Sequence, residues 1–216
     1  MLGRLFNSKK EAQNKADEIT IIGLRIGHSF EIDPLFLRLI ESELVIEESN
    51  KTHIIQAAGI VDLGGTYVFR FYTDDDAFLQ VVTDGGKNDN NVVDVKLYHY
   101  YDTHNVSSDQ AWDDLLYRKI GAPSYELESH RYERVWTSID DYHQPVHMTE
   151  RTIDESGNES RTDQFTMLFE REISNGMTES LFLSAEEAEC ETGDLNRCFV
   201  LSTGITLTPS QLVIHG

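Results

Sequence analysis

Three adjacent carboxylates, Asp74, Asp75 and Asp76, form the densest acidic cluster in the part of the sequence with a regular hydrophobic pattern. Ca²⁺ and Mg²⁺ prefer carboxylate oxygens, so a divalent-cation site is one interpretation. Successive side chains of an extended segment point to opposite sides, however, and such a site would need further oxygens from elsewhere. Aspartate is also a common turn residue, because its side chain accepts hydrogen bonds from nearby backbone N–H groups. We favour a turn here and keep metal binding as the alternative.

Two histidines, His143 and His147, have the four-residue spacing that places two metal ligands on one face of a helix. Pro145 lies between them and would disrupt such a helix. On an extended strand the same spacing separates the two residues by about 13 Å, which is too far for one metal ion. A loop could still bring the histidines together, so the pair is a second candidate metal site.

Neither the cysteines nor any motif predicts catalysis. Cys190 and Cys198 flank an acidic segment, and negative surroundings keep a thiol protonated rather than activating it as a nucleophile. The sequence contains no phosphate-binding P-loop, no dinucleotide-binding glycine motif, no His-Glu-x-x-His and no Gly-x-Ser-x-Gly. We therefore predict no catalytic residue and no cofactor.

Charge is distributed unevenly along the chain. Its 38 Asp and Glu side chains outnumber 18 Lys and Arg side chains, for a formal net charge of -20. This balance argues against nucleic-acid binding, which depends on clustered cations. The first sixteen residues are the exception, with four basic side chains, one acidic side chain and an apolar face of Leu2, Leu5 and Phe6. We expect residues 1–18 to be a flexible basic tail that could contact an anionic membrane surface.

The same features lead to an expected location. No apolar run approaches the roughly 18 residues of a membrane span. The first residues lack the apolar segment of a secretory signal, and two cysteines cannot form a disulfide framework. We expect a cytoplasmic protein, with peripheral contact at the inner membrane through the basic tail.

Beyond residue 18 the dominant hydrophobic period is two, which is typical of β-strands. Turn-forming clusters at 74–76, 154–158 and 175–176 separate these runs into successive antiparallel hairpins. The runs cover residues 67–72, 77–82, 92–101, 146–153, 162–173 and 179–183.

One amphipathic helix is predicted at 107–120. Ser107 and Gln110 have the spacing of a capping box, and Gly121 with Pro123 would end the helix. Its apolar stripe consists of Trp112, Leu115, Leu116 and Ile120. We predict an α+β fold in which this helix covers part of a mostly antiparallel sheet, in a single domain over residues 19–216.

Several segments carry a resemblance to a known family. They are residues 71–81 (FYTDDDAFLQV), 22–27 (IGLRIG), 37–41 (LRLIE), 94–97 (DVKL) and 1–6 (MLGRLF). In them the chain resembles the YjfK-like family of bacterial proteins of unknown function, over most of its length. The resemblance implies a cytoplasmic protein whose genes lie near membrane-linked and polyamine-related genes, and it supplies no catalytic residues.

Three functions are compatible with the sequence. The first is a non-catalytic accessory or binding protein that acts through a protein partner, at the cytoplasmic membrane surface. The second is a small-molecule module that binds a cationic ligand such as a polyamine. The third, weaker alternative is an enzyme whose site residues converge only in three dimensions. A pocket with convergent carboxylates would favour the second or third function over the first.

Overall fold

The computed structural model describes residues 18–46, 50–189 and 195–216, apart from the side chain of Asn175. The expected basic tail and its membrane contact involve residues 1–17, which lie outside the described residues. Cys190 also lies outside them.

Strands dominate the described chain. They are β1 (Ser29–Ile32), β2 (Thr52–Asp62), β3 (Thr66–Thr73), β4 (Ala77–Asp84), β5 (Val92–Asn105), β6 (Ser124–Leu127), β7 (His130–Arg134), β8 (Val146–Asp154), β9 (Glu159–Glu172), β10 (Thr178–Glu189), β11 (Leu195–Thr206) and β12 (Leu212–His215). The α-helices are α1 (Pro34–Arg38) and α2 (Asp109–Asp114), and α2 continues as a π-helical turn over Leu115–Lys119. Short 3₁₀ turns lie at Glu41–Glu43, Asp89–Asn91, Ser174–Gly176 and Pro209–Gln211.

Eight of these strands close into an antiparallel barrel. The order around the ring is β2, β3, β4, β5, β11, β10, β9 and β8, and β8 returns to β2 through pairs such as Gly59 with Thr152. β1 and β12 extend the sheet beside the first residues of β2, while β7 and β6 extend it beside the last residues of β9. Because the ring is closed, its eight strands satisfy one another's backbone hydrogen bonds.

The predicted α+β class is wrong. Of the described residues, 56% lie in strands and 14% in helices, so helices do not form a second layer of comparable size. The prediction assumed a sheet with one buried face that a helix would have to cover. The sheet instead curls into a closed barrel, so that its inner face is buried by side chains of the same sheet and needs no helix to cover it.

The principal helix lies where the sequence placed it but is shorter. α2 begins after Ser108, whose hydroxyl accepts a hydrogen bond from the Ala111 N–H (3.2 Å), so Ser108 caps the helix instead of Ser107. The predicted apolar stripe is confirmed as buried. It packs on outward-facing side chains of β9, β10 and β11, which are Met167, Phe169, Leu181, Leu183, Ala185 and Leu201.

The two faces of the barrel wall have opposite chemistry. Outward side chains such as Phe69, Phe71 and Leu97 are apolar and lie in a cluster with the segment that contains β1 and α1. Inward side chains include an arginine, Arg70 of β3, which contacts Glu150 of β8. These strands do not pair with each other, so the contact crosses the inside of the ring. The barrel therefore has a charged interior within an apolar outer layer.

Candidate functional site

Arg70 is the centre of a polar cluster inside the barrel. The guanidinium Nη1 donates to Glu150 Oε2 (2.7 Å) and to Gln164 Oε1 (2.6 Å), and Nε donates to Gln80 Oε1 (3.0 Å). Its Cζ also lies 5.3 Å from the ring centroid of Phe182. Burial alone would lower the pKa of Arg70, but the charge of Glu150, together with smaller contributions from Tyr72 and Glu186, outweighs burial and the pKa is raised. Arg70 is thus a permanent buried cation.

Glu150 is fully occupied within this cluster. Its Oε1 accepts a hydrogen bond from the Tyr72 hydroxyl (2.8 Å), and its Oε2 accepts from Arg70 and from Gln164 Nε2 (3.1 Å). Gly59 makes room for it, since a Cβ there would lie 1.8 Å from Glu150 Oε1. Because the charges of Arg70 and Glu150 compensate each other, this pair is a structural part of the barrel interior.

A second carboxylate, Glu186, lies nearer the end of the barrel. Gln164 connects it to the buried cluster, with Nε2 donating to Glu186 Oε1 (3.2 Å). Glu186 is half-buried, and among the described residues no Lys, Arg or His forms an ion pair with it. Burial, and to a smaller extent the nearby Glu150, raises the pKa of Glu186 above the usual glutamate range. This carboxylate therefore lacks the cation that Glu150 has.

The surroundings of Glu186 form what we call the barrel mouth, with Tyr72, Tyr100, Thr162, Glu186 and Cys198 as its inward-facing side chains. Register places them together, because Glu186 pairs with Cys198 and Thr162 pairs with the inward Glu150. An open cleft of about 1130 Å³ begins beside Glu186, Thr162 and Cys198. Burial and then Glu186 raise the pKa of Cys198 to about 11, so its thiol is not an activated nucleophile.

Neutral aromatic side chains lie on the other side of the mouth. The rings of Tyr72 and Tyr100 contact Phe78, with centroid distances of 5.7 and 5.5 Å, and Tyr100 remains 38% exposed. Burial first, and then Glu186, raises the pKa of Tyr100, so its hydroxyl stays protonated. A carboxylate beside neutral aromatic rings is suited to an organic cation.

The three aspartates predicted as a turn form the β3–β4 turn. Asp74 Oδ1 accepts a hydrogen bond from the Ile54 N–H (3.0 Å), whereas Asp75 Oδ2 lies 2.8 Å from Nδ1 of the buried His53. Asp76 has a φ of 56°, a left-handed conformation that aspartate tolerates. Asp74 and Asp75 thus have separate partners, and Asp76 provides the left-handed residue of the turn.

His143 and His147 bind different neighbours. His147 Nε2 lies 3.0 Å from Asp163 Oδ1 and its ring stacks on Phe165, while His143 Nδ1 lies 2.6 Å from the carbonyl oxygen of Gln144. Across residues 18–46, 50–189 and 195–216, no three His, Cys, Asp or Glu side chains come together in a way that could hold a metal ion.

A smaller cavity lies outside the barrel, beneath α1. Its volume is about 50 Å³, and Leu37, Leu44 and His99 are among its lining residues. Burial, followed by the neighbouring His53, lowers the pKa of His99 to about 4, so this imidazole is neutral at physiological pH. The cavity has room for water and not for an organic ligand.

Sequence reasoning missed Arg70, Glu150, Gln164 and Glu186. One signal was present: Arg70 stands between Phe69 and Phe71 in a strand of otherwise apolar and aromatic residues. In a sheet with only one buried face, that arginine would lie on the solvent side. Its position in the sequence therefore did not indicate a buried site, because the closure of the ring was not predicted.

The fold and the interior cluster define an antiparallel β-barrel protein with a charged core and an acidic mouth. The chain belongs to a family of proteins of unknown function, DUF2491, whose model matches residues 1–213. It is also 29% identical over 198 residues to the uncharacterized protein YjfK of Escherichia coli (strain K12), which covers 90% of each chain. These matches confirm the resemblance found in the sequence. No solved structure matches the chain, and in the described ranges no helix is long and apolar enough to cross a membrane.

Proposed function

We propose that this chain is a binding module whose barrel mouth takes a ligand with a protonated amine. The observation that carries the proposal is Glu186, a half-buried carboxylate that faces the mouth and has no ion-pair partner among the described residues. Of the three functions compatible with the sequence, this is the cationic-ligand module. The alternative of a protein partner at the membrane was based on the absence of catalytic motifs and on the charge difference between the basic tail and the acidic body, and residues 1–17 of that tail lie outside the described chain.

Electrostatics explains why a cation would bind there. Arg70 neutralises Glu150, and the charge of Glu186 is left over. Burial removes water from that carboxylate, which raises the free energy of its ionised form until a cation or a proton compensates it. An ammonium group would supply both the positive charge and the hydrogen-bond donors that Glu186 lacks. The Tyr100 ring would contact the methylene groups of the ligand next to that ammonium.

A built site differs from the general attraction of an acidic protein. A net charge of -20 gathers cations near the surface without any pocket. Charge alone predicts weak, non-saturating spermidine association that disappears by about 0.15 M NaCl, where the Debye length is about 8 Å. A half-buried contact is screened much less, so the mouth predicts saturable binding at the same salt concentration.

Isothermal titration calorimetry with spermidine at about 0.15 M NaCl tests the proposal. We expect saturable binding at one site, and a loss of about 10- to 100-fold in affinity for Glu186→Gln, the usual effect of removing a charged hydrogen-bond partner. The matched control is Glu189→Gln, which makes the same charge change at an exposed residue of the same strand and should leave the affinity unchanged. Equal losses in both variants, or no saturable binding by the wild type, would refute the site.

The affinity should also depend on pH. Only the ionised form of Glu186 attracts an ammonium group, and burial raises the pKa of this carboxyl in the ligand-free protein. Binding is therefore strongest above the raised pKa and weakens by up to about tenfold per pH unit below it. The decline should begin at a higher pH than an ordinary glutamate, with a pKa of about 4.3, would produce. Calorimetry from pH 4 to pH 8 should show this decline in the wild type and a flat profile in Glu186→Gln; a flat wild-type profile over that range would contradict it.

A further inference from the structure

We infer that the mouth selects a terminal primary ammonium group, inserted end-on, over a quaternary ammonium group of equal charge. This inference rests on the proposed function and adds the chemical class of the ligand. Three features of the barrel support it: a closed floor, hydrogen-bond acceptors with unused capacity, and nearby cations that are already paired.

The floor is the layer that contains Arg70. Its guanidinium lies between the rings of Phe78 (5.8 Å) and Phe182 (5.3 Å). Beyond this layer the interior is filled by an apolar cluster that includes Val61, Val68 and Met148 and by the ion pair of Lys96 with Glu170 (3.1 Å). A ligand that enters from the mouth therefore reaches Glu186 and stops, so that only its end group is enclosed while the rest of its chain stays in the open cleft.

The acceptors beside this floor are incompletely used. Among the described residues, Glu186 accepts the hydrogen bond from Gln164 at 3.2 Å, which leaves capacity on a carboxylate with several lone pairs. Ser184 lies on the same inward side of β10, two residues deeper, and is 2% exposed. Its buried hydroxyl faces Glu186, where it partly offsets the rise in the pKa of that carboxyl, and no donor reaches its oxygen within the described chain. A primary ammonium carries three N–H donors for such acceptors, whereas a quaternary ammonium carries none.

The other inward side chains of the mouth are neutral, and the cation that lines the cleft, Arg197, is already paired with Glu187 (2.5 Å) and Asp109 (2.6 Å). The Tyr100 hydroxyl and the Cys198 thiol both stay protonated, because burial raises the pKa of each group. Arg70, the nearest buried cation, already donates to Glu150, Gln164 and Gln80. Discrimination between the two kinds of ammonium thus depends on hydrogen bonding to Glu186 and Ser184, since both carry the same positive charge.

The test compares 1,5-diaminopentane with its fully N-methylated bis-quaternary analogue, which has the same charge and chain length. Calorimetry at about 0.15 M NaCl should give at least about tenfold tighter binding of the primary diamine to the wild type, since charged hydrogen bonds are lost with the analogue. The preference should shrink in Ser184→Ala and disappear in Glu186→Gln, while Glu189→Gln should retain it.

The outcomes separate this inference from the function on which it rests. Equal binding of the two compounds, or tighter binding of the quaternary compound, would overturn the selectivity and leave an amine-binding mouth in place. Failure of both compounds and of spermidine to bind would overturn the proposed function as well. Circular dichroism of each variant verifies that the β-barrel is intact, so that a loss of binding is not a loss of folding.

Discussion

Replacing Arg70 with methionine is expected to lower the free energy of unfolding by about 3–5 kcal/mol, because removal of one member of a buried ion pair strands the other. Arg70 and Glu150 are each 2% exposed at the side chain and lie 2.7 Å apart. Tyr72 would still donate to the stranded carboxylate, but Gln80 would lose its donor and Gln164 Oε1 its strongest one. Urea unfolding followed by tryptophan fluorescence measures the change.

A double variant distinguishes the effect of a stranded charge from the effect of the side-chain volume that is replaced. Arg70→Met combined with Glu150→Met removes both charges, and replacing a buried pair by apolar side chains of similar size is often close to neutral. We therefore expect the double variant to recover part of the stability lost by Arg70→Met, because the stranded charge is gone while Gln80, Gln164 and Tyr72 still lack their partners. Arg118→Met is the control, because its side chain is 80% exposed and pairs with Asp114 on the surface. A loss of less than about 1 kcal/mol for Arg70→Met would contradict a central role for this cluster, since exposed pairs contribute that much at most.

The second large effect is expected at Glu179, on the outer side of the barrel. Its Oε1 accepts a hydrogen bond from the Val45 N–H (2.8 Å), and its Oε2 accepts from the Tyr132 hydroxyl (2.6 Å) and from Arg171 Nε (2.7 Å). These contacts attach β7 and the segment after α1 to the barrel. Glu179→Leu should lower the free energy of unfolding by about 3 kcal/mol, because it leaves a largely buried arginine and hydroxyl without their acceptor.

Glu172→Leu provides the comparison for Glu179→Leu. Glu172 is an exposed glutamate at the end of β9, so the same substitution removes a charge from a solvated surface. Its effect should remain within about 0.5 kcal/mol, as for most surface substitutions. Similar midpoints for the two variants in urea unfolding would show that the Glu179 contacts do not stabilise the fold.

Several elements could be predicted from the sequence because their signals are local. The alternation in Tyr67–Tyr72 and Ala77–Val82, with three aspartates between, specifies a hairpin, since turn residues and period two act over a few positions. The stripe that begins at Trp112 specified a helix in the same way, and the cap moved by only one residue, between two adjacent serines that can both serve. Charge and the absence of motifs likewise depend on composition alone.

Closure of the ring depended on the tertiary structure. β8 pairs with β2, roughly 90 positions earlier in the chain, as in Gly59 with Thr152. A hydrophobic period of two predicts that successive side chains of a strand face different surroundings. It does not predict which distant strand forms those surroundings. That is why the strands were predicted while the fold class was not.

The candidate site also depended on the tertiary structure. Glu186 and Glu187 are adjacent and chemically alike in the sequence. In the barrel, Glu187 pairs with Arg197 at 2.5 Å, whereas Glu186 turns inward toward Gln164 and the mouth. Which of two successive side chains faces the interior follows from the register of the strand, and a shift of one residue would exchange them. Register is set by pairing around the whole ring, so only the folded barrel distinguishes a surface ion pair from a half-buried carboxylate without a cation.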